Sequence, residues 1–205
     1  IDIVRHAQHI SGQRQRALVI SPNEVVRTWR REVRKHTGKD DSIILDSEYT
    51  LKQRKEILLS GNLPTFTVLN VDVISQLEEA LKQTVWDFVI VDEATRCKSP
   101  EAKRTKTLLR LPRRRSLALT GTPITATHFL DLWSISEFVH PGIFGDFRAF
   151  KWRYHEMVWV NLPHGGFKQE LRVRKDRIPE LYKILDSISW RVTRKQVMPW
   201  LPDDM

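Results

Sequence analysis

Apolar residues form two alternating patterns along the first part of the chain, up to about residue 140. Helical spacing between Ile1 and Ile10 predicts a helix that stops near Gly12, and the apolar run 17–20 predicts a buried strand. Further apolar runs at 43–45, 66–69, 88–91 and 117–119 predict strands, with helical patterns between them at 51–59, 73–82 and 100–110. Strands that are apolar on both faces and separated by helices are typical of a parallel sheet covered on both sides. The pattern therefore predicts an α/β fold.

The second helix has a recognisable start in the sequence. Ser21, Pro22 and Glu24 have the arrangement of a capping box with proline at the first helical position. Val25, Trp29 and Val33 then continue one apolar face as far as Gly38. We therefore expect a helix that begins directly after the first strand.

The alternation of strands and helices ends after residue 140. Apolar runs at 157–162 and 167–173 flank a turn at 163–166 and predict a β-hairpin, and residues 179–188 return to helical spacing. We therefore predict two regions, a sheet domain at 1–140 and a mainly helical appendage with a β-hairpin at 141–205.

Charge and cysteine content narrow the class of protein. The 205 residues contain 34 Lys and Arg against 25 Asp and Glu, and the formal charge of +9 favours a polyanionic partner such as nucleic acid. The single cysteine, Cys97, cannot form an intrachain disulfide, which favours a reducing compartment. No apolar segment approaches the roughly 20 residues of a membrane helix. We expect an intracellular protein of the cytoplasm, nucleoid or nucleus, without a membrane partner.

Two adjacent carboxylates, Asp92 and Glu93, follow the strand predicted at 88–91. Open α/β sheets bind ligands at the carboxyl ends of their strands. In a nucleotide hydrolase the first carboxylate can hold Mg²⁺ and the second can orient and deprotonate the attacking water. A polar strand end or a helix cap is the alternative interpretation of this pair.

A second loop of this kind follows the strand predicted at 117–119. It contains Thr120, Gly121 and Thr122, whose glycine permits a tight turn and whose hydroxyls can bond phosphate-bound water or neighbouring carboxylates. An ordinary turn before a helix starting near Thr127 is the alternative. The two loops together, in this order, are more specific than either alone.

These segments resemble the N-terminal RecA-like lobe of SNF2-type ATPases, within helicase superfamily 2. Residues 17–22 with Trp29 look like motif Ia, VIVDEATRCKSP at 89–100 looks like motif II, and 117–124 looks like motif III. Residues 131–153 resemble the stretch that distinguishes SNF2 proteins, and 190–202 resemble the segment before the second lobe. The resemblance thus covers essentially the whole chain and implies a RecA-like parallel sheet.

The resemblance also implies ligands, partners and residue roles. ATP and Mg²⁺ would be the cofactors, with double-stranded DNA and a second RecA-like lobe of the same polypeptide as partners. Asp92 would bind Mg²⁺ through the nucleotide and Glu93 would activate water. Motif III would couple the phosphate site to DNA through Thr120, Gly121 and Thr122, and the candidates for contact with the DNA backbone are Ser21, Pro22, Arg27 and Lys98.

The sequence departs from the family pattern in three ways. Thr95 stands where the family usually has His in motif II. No glycine-rich phosphate loop of the type G-x-x-x-x-G-K-[ST] occurs, and we expect it a few residues upstream of Ile1. The second lobe, expected downstream of Met205, is also missing. The isolated chain is therefore predicted to be a fragment without ATPase activity.

Three functions are consistent with this sequence. The first is a SNF2-like, DNA-dependent ATPase that moves along duplex DNA and remodels DNA or protein–DNA complexes. The second is a strand-separating superfamily 2 helicase of restriction or phage type. The third is a degenerate ATPase fold that binds DNA without catalysis.

Overall fold

A computed structural model describes residues 1–121, 129–192 and 196 and contains a five-stranded parallel sheet. The strands are β1 (Ala17–Ser21), β2 (Ser42–Leu45), β3 (Phe66–Asn70), β4 (Trp86–Val91) and β5 (Arg113–Ala118). They run in the spatial order β2-β3-β1-β4-β5, and all of the pairings between them are parallel. This confirms the predicted α/β fold.

Successive residues of the strands supply two separate hydrophobic cores, because side chains alternate between the faces of a sheet. Ala17 and Val19 of β1 face one core, while Leu18 and Ile20 face the other. The first core is completed by α1 (Asp2–Ser11) and α2 (Val26–Thr37). The second is completed by α3 (Leu51–Leu59), α4 (Glu78–Leu81), α5 (Lys103–Arg110) and α6 (Leu130–Val139). Helices therefore cover both faces, as predicted.

The ends of the first two helices follow simple backbone rules. Gly12 and Gly38 terminate α1 and α2 with φ of 63° and 69°, a left-handed conformation that glycine adopts without steric cost. The capping box predicted at Ser21 is wrong, since α2 begins at Val26 and has no side-chain cap. Ser21 is instead the last residue of β1 and is fully buried, and its hydroxyl donates a hydrogen bond to Asp92.

Two further segments differ from the pattern-based prediction. The helix predicted over 73–82 divides into a 3₁₀ turn (Val71–Gln76) and the short α4. The strand β5 begins at Arg113, earlier than predicted. Arg113 donates hydrogen bonds to the carbonyls of Leu108, Leu109 and Leu111 in and after α5, and to that of Phe138 in α6. Its polar head is thus satisfied, and burial lowers the pKa of its guanidinium.

The chain divides into two compact units, Ile1–Lys151 and Trp152–Met205. The helix α7 (Phe147–Tyr154) crosses this division. The second unit contains an antiparallel hairpin of β6 (His155–Asn161) and β7 (Phe167–Val173), followed by α8 (Ile178–Ile188), so the predicted hairpin and final helix are confirmed. The domain boundary predicted at residue 140 stays a prediction.

The second unit has a polar cluster of its own. Glu180 of α8 accepts a hydrogen bond from Tyr154 at 3.0 Å and pairs with Arg153 at 2.6 Å. Burial and the hydrogen bond to Glu180 raise the pKa of Tyr154 to about 12.

Among the helices of the described residues, none is long and apolar enough to cross a membrane.

Glu78, at the start of α4, provides a stability prediction. Lys82 donates to one carboxylate oxygen at 2.7 Å, and Thr107 and Arg110 donate to the other at 2.8 and 2.9 Å. The hydrogen bond from Lys82 is the largest cause that lowers the pKa of Glu78 from 4.5 to about 2, against the opposing effect of burial. Ionised Glu78 therefore stabilises the fold above pH 4.5, and this contribution disappears as the pH falls from 4.5 towards 2.

We expect Glu78→Gln to lower the free energy of unfolding by about 1–2 kcal/mol at pH 7. The difference from the unmodified chain should shrink between pH 4.5 and pH 3, as followed by urea denaturation at each pH. Glu79→Gln is the matched control, because the Glu79 side chain is 86% exposed and pairs with Lys82 only at 3.4 Å. Equal losses of stability in the two variants would contradict the assignment.

Candidate functional site

Three polar residues from three neighbouring strands meet at the carboxyl edge of the sheet. Ser21 ends β1, Asp92 follows β4, and Thr120 comes shortly after the end of β5. β4 lies between β1 and β5, and all three strands run in the same direction. The structure therefore brings the motif II carboxylates together with residues of motifs Ia and III.

Backbone hydrogen bonds extend the sheet into these loops. The Asp92 N–H donates to the carbonyl of Ile20 at 2.8 Å, and the Leu119 N–H donates to that of Val91 at 2.8 Å. In the loop after Asp92, the Ala94 N–H donates a hydrogen bond to the Leu119 carbonyl at 2.9 Å. The loops of motifs II and III are therefore fixed to each other by the main chain.

The carboxylate of Asp92 is held by three donors. Its Oδ2 accepts hydrogen bonds from Trp29 Nε1 at 3.0 Å and from Ser21 Oγ at 3.2 Å. Its Oδ1 accepts one from the Glu93 N–H at 3.1 Å. The donors come from α2, from β1 and from the neighbouring residue, so the side chain is oriented by separate elements of the fold.

Glu93 adopts a left-handed backbone conformation, with φ of 49° and ψ of 56°. It is the one non-glycine residue with positive φ in the described part of the chain. A side chain in this region costs about 1–2 kcal/mol, and such strained residues cluster at functional sites. The Glu93 side chain is exposed and makes no hydrogen bond or ion pair to other described residues, so its carboxylate is available to a ligand.

The site suits Mg²⁺ bound together with a nucleotide. Mg²⁺ prefers oxygen ligands and is usually held by one or two carboxylates, with water and substrate phosphates completing its coordination. Asp92 and Glu93 supply such carboxylates, and the hydroxyl of Thr120 follows the adjacent strand. Within residues 1–121 and 129–192, no group of three His, Cys, Asp or Glu is placed to hold a metal ion without a ligand. The donor set thus fits Mg²⁺ that arrives with phosphate.

The remaining residues of motifs II and III are placed only in part. Thr120 is half-buried and Gly121 is exposed after β5, while the predicted coupling residue Thr122 lies outside the described residues. The helix start predicted near Thr127 also lies outside them. Thr95 is half-buried in the 3₁₀ turn Ala94–Cys97 that follows Glu93.

The four predicted DNA-backbone residues have different surroundings. Ser21 and Pro22 are buried, and the Ser21 hydroxyl is used by Asp92. Arg27 is exposed and pairs with Asp46 at 2.8 Å and Glu48 at 2.9 Å, contacts that raise its pKa, chiefly through the hydrogen bond to Asp46. The exposed Lys98 pairs with Asp131 of α6 at 2.9 Å. Phosphate contact through Arg27 and Lys98 stays a prediction, and it would compete with these carboxylates.

Trp29 is a site residue that the sequence pattern did not identify as one. Its position fits the apolar face of α2, which is how the helical spacing accounted for it. The ring is half-buried, and its indole N–H nevertheless donates to Asp92. In the sequence, the one indication that Trp29 belongs to the site was its place in the segment that resembles motif Ia. That resemblance did not indicate that Asp92 is its hydrogen-bond partner.

Several curated proteins are similar to this chain. The DNA repair and recombination protein RAD54B of Gallus gallus is 25% identical over 190 residues, covering 92% of this chain and 20% of that protein. Helicase ssl-1 of Caenorhabditis elegans is 29% identical over 190 residues, covering 91% of this chain and 8% of that protein. The ISWI chromatin-remodeling complex ATPase ISW1 of Saccharomyces cerevisiae is 29% identical over 150 residues, covering 72% of this chain and 13% of that protein. The chain thus spans a fifth or less of the length of these relatives.

Solved structures and a family model agree with these similarities. The Sulfolobus solfataricus SWI2/SNF2 ATPase core in complex with dsDNA is 26% identical, with a TM-score of 0.60 over 73% of this chain and 30% of that chain. A second structure, of the Sulfolobus solfataricus SWI2/SNF2 ATPase core domain, has a TM-score of 0.66 over 97% of this chain and 37% of that chain. At 24% identity, this similarity supports the fold. The model of the SNF2-related domain matches residues 1–205, so the chain belongs to the SNF2-related domain family.

Proposed function

We propose that this chain is the first RecA-like lobe of an intracellular ATPase that moves along double-stranded DNA and remodels DNA or protein–DNA complexes. The observation that carries the proposal is the position of Asp92 and Glu93 at the carboxyl edge of the sheet, between β1, which ends in Ser21, and β5, which Thr120 follows. Similarity to a SWI2/SNF2 ATPase core in complex with dsDNA supports the choice of duplex DNA as the partner.

Each carboxylate has a distinct role in this proposal. Asp92, fixed by Trp29 and Ser21, would hold Mg²⁺ that is bound together with the nucleotide. Glu93, exposed and without a partner among the described residues, accepts the proton of the water that attacks the terminal phosphate. Bound Mg²⁺ neutralises charge that develops on the transferred phosphoryl group.

Hydrolysis also requires groups outside this site. Phosphoryl transfer depends on positioning and on charge neutralisation from several directions, which a second lobe and a phosphate-binding loop supply in the proposed whole protein. The carboxylate pair covers only one side of a bound nucleotide. The isolated chain therefore hydrolyses ATP negligibly in this proposal.

Contact with DNA is proposed through the exposed cations Arg27 and Lys98. Arg27 pairs with the buried Asp46 and the exposed Glu48, and Lys98 pairs with the half-buried Asp131, so a DNA phosphate would compete with these carboxylates for the two cations. Contacts to the phosphate backbone carry no sequence information. We therefore propose DNA binding that is strongly dependent on salt and tolerant of sequence.

The first test measures ATP hydrolysis with and without duplex DNA. In the whole protein, Asp92→Asn and Glu93→Gln should each lower the DNA-stimulated kcat by at least about 100-fold, because each removes a carboxylate that acts on the phosphate or the water. The 205-residue chain alone should show no turnover above background. DNA-stimulated turnover by that chain would contradict the prediction, and full activity of both variants would refute the roles of the two carboxylates. Absence of turnover in the unmodified whole protein would leave only a non-catalytic DNA-binding role.

The type of movement needs a separate assay on the whole protein. ATP-driven displacement of a third strand from a triplex, without unwinding of the duplex, is the expected result. Release of one labelled strand from an ordinary duplex would instead favour a strand-separating helicase.

The second prediction concerns the salt dependence of duplex binding. Arg27→Ala and Lys98→Ala should each reduce the slope of log affinity against log salt by about 0.9, the value for one lost phosphate contact on duplex DNA. Lys52→Ala is the control, since Lys52 is an exposed cation of α3 whose pair with Glu56 is long, at 3.9 Å. An unchanged slope in both variants, or an equal change in the control, would refute the proposed contacts.

The third prediction separates the backbone strain of Glu93 from its chemistry. Glu93→Gly should raise the free energy of unfolding by about 1 kcal/mol, because glycine adopts a φ of 49° without steric cost. Glu93→Gln should change stability by less than about 0.5 kcal/mol, since it keeps the strained conformation. Both variants should lose ATPase activity in the whole protein. Denaturant titration decides the matter, and a destabilised Glu93→Gly would show that the conformation is not a source of strain.

A further inference from the structure

We propose that Trp29 is a positioning residue, which together with Ser21 fixes Asp92 so that its Oδ1 is the oxygen presented to the divalent cation. This inference rests on the proposed function, because it assigns the cation to Asp92. It adds a positioning role for Trp29, and it specifies which of the two carboxylate oxygens of Asp92 faces the cation. The carrying observation is the convergence of two donors on Oδ2, from Trp29 Nε1 at 3.0 Å and from Ser21 Oγ at 3.2 Å.

The two oxygens of Asp92 differ in the capacity they have left. A carboxylate oxygen has two lone pairs, so Oδ2 is saturated by the indole and hydroxyl donors. Among the residues that the structure describes, Oδ1 accepts one hydrogen bond, from the Glu93 N–H at 3.1 Å, and keeps one lone pair for a further partner. A cation, or a water molecule bound to it, therefore meets Asp92 at Oδ1.

The donors to Asp92 orient the carboxylate without neutralising its charge. An indole N–H and a hydroxyl are uncharged, and no Lys, Arg or His of the described residues forms an ion pair with Asp92. A lysine or arginine in the place of Trp29 would compete with a cation for the same charge. The arrangement thus keeps the full negative charge for the metal while it fixes the rotamer of the side chain.

Trp29 is the more restrictive of the two donors. Its N–H direction is fixed by the ring plane, whereas a serine hydroxyl rotates to suit its acceptor. The ring is carried by α2, whose Val26 and Val33 are buried in the core on one face of the sheet. Loss of the indole donor should therefore release Asp92 more than loss of the hydroxyl.

The test uses Mn²⁺ as a spectroscopic substitute for Mg²⁺ and needs no hydrolysis. Because the site fits a cation that arrives with phosphate, Mn²⁺ is added as its ATP complex to the ¹⁵N-labelled 205-residue chain. Paramagnetic broadening of the backbone amide signals of residues 92–94 is followed as a function of the concentration of that complex. We expect Trp29→Phe to raise the concentration needed for half broadening about tenfold, as is usual when a partner of a metal ligand is removed. Ser21→Ala should raise it about threefold.

Two further variants serve as controls. Trp86→Phe removes an indole that donates to the Leu81 carbonyl at 3.1 Å, at the opposite end of β4, and should leave the Mn²⁺ titration unchanged. Asp92→Asn should abolish the broadening. It should also shift the indole N–H signal of Trp29 more than those of the other tryptophans, with the signal assigned by its absence in Trp29→Phe.

The outcomes separate this inference from the proposed function. Equal broadening in the unmodified chain and in Asp92→Asn would overturn the metal site, and with it the role of Trp29. Loss of broadening in Asp92→Asn, with Trp29→Phe and Ser21→Ala both like the unmodified chain, would overturn the positioning role alone. An equal effect of Trp86→Phe would also overturn it, because the loss would then reflect general destabilisation. If Trp29→Phe does not fold, Ser21→Ala decides the question on the same scale.

Discussion

The pairing of β4 between β1 and β5 is the constraint on which the site depends. Parallel strands end at the same edge of a sheet, and the register that sets Ile20 and Ala118 beside Val91 places Ser21, Asp92 and Thr120 next to one another there. A slip of one residue would turn the buried side chains of β4 to the opposite core. Because both faces of the sheet are covered by cores, such a slip is costly, and the position of Asp92 is secured by packing far from it.

The loop after β4 shows where the fold tolerates strain. Glu93 has a left-handed backbone, yet its neighbours on either side are fixed by main-chain hydrogen bonds to Ile20 and Leu119. These bonds fix the course of the chain through Glu93, so the unfavourable conformation persists. The result is that two consecutive carboxylates have different surroundings: Asp92 is held by three donors and Glu93 is exposed.

Hydrophobic patterning predicted the sheet and its helices because burial on two faces leaves continuous apolar runs, as in 88–91. It placed the start of β5 too late, since Arg113 is polar in sequence but bonded to four carbonyls in the fold. Ser21 was assigned as a helix cap because local spacing cannot reveal an acceptor 71 residues away. Trp29 was assigned to an apolar face for the same reason. The motifs predicted which residues carry chemistry, and only the tertiary structure identified their partners.

Helix α2 connects the two surfaces that the proposed function uses. Arg27 lies on its exposed side with Asp46 and Glu48, while Trp29, two residues later, reaches Asp92. The helix cannot rotate freely, because Val26 and Val33 are buried in the core beneath it. A displacement of the helix large enough to change the partners of Arg27 must therefore also change the geometry of the hydrogen bond from Trp29. The proposed cation placement at Asp92 and the proposed polyanion contact at Arg27 would consequently both depend on the position of α2.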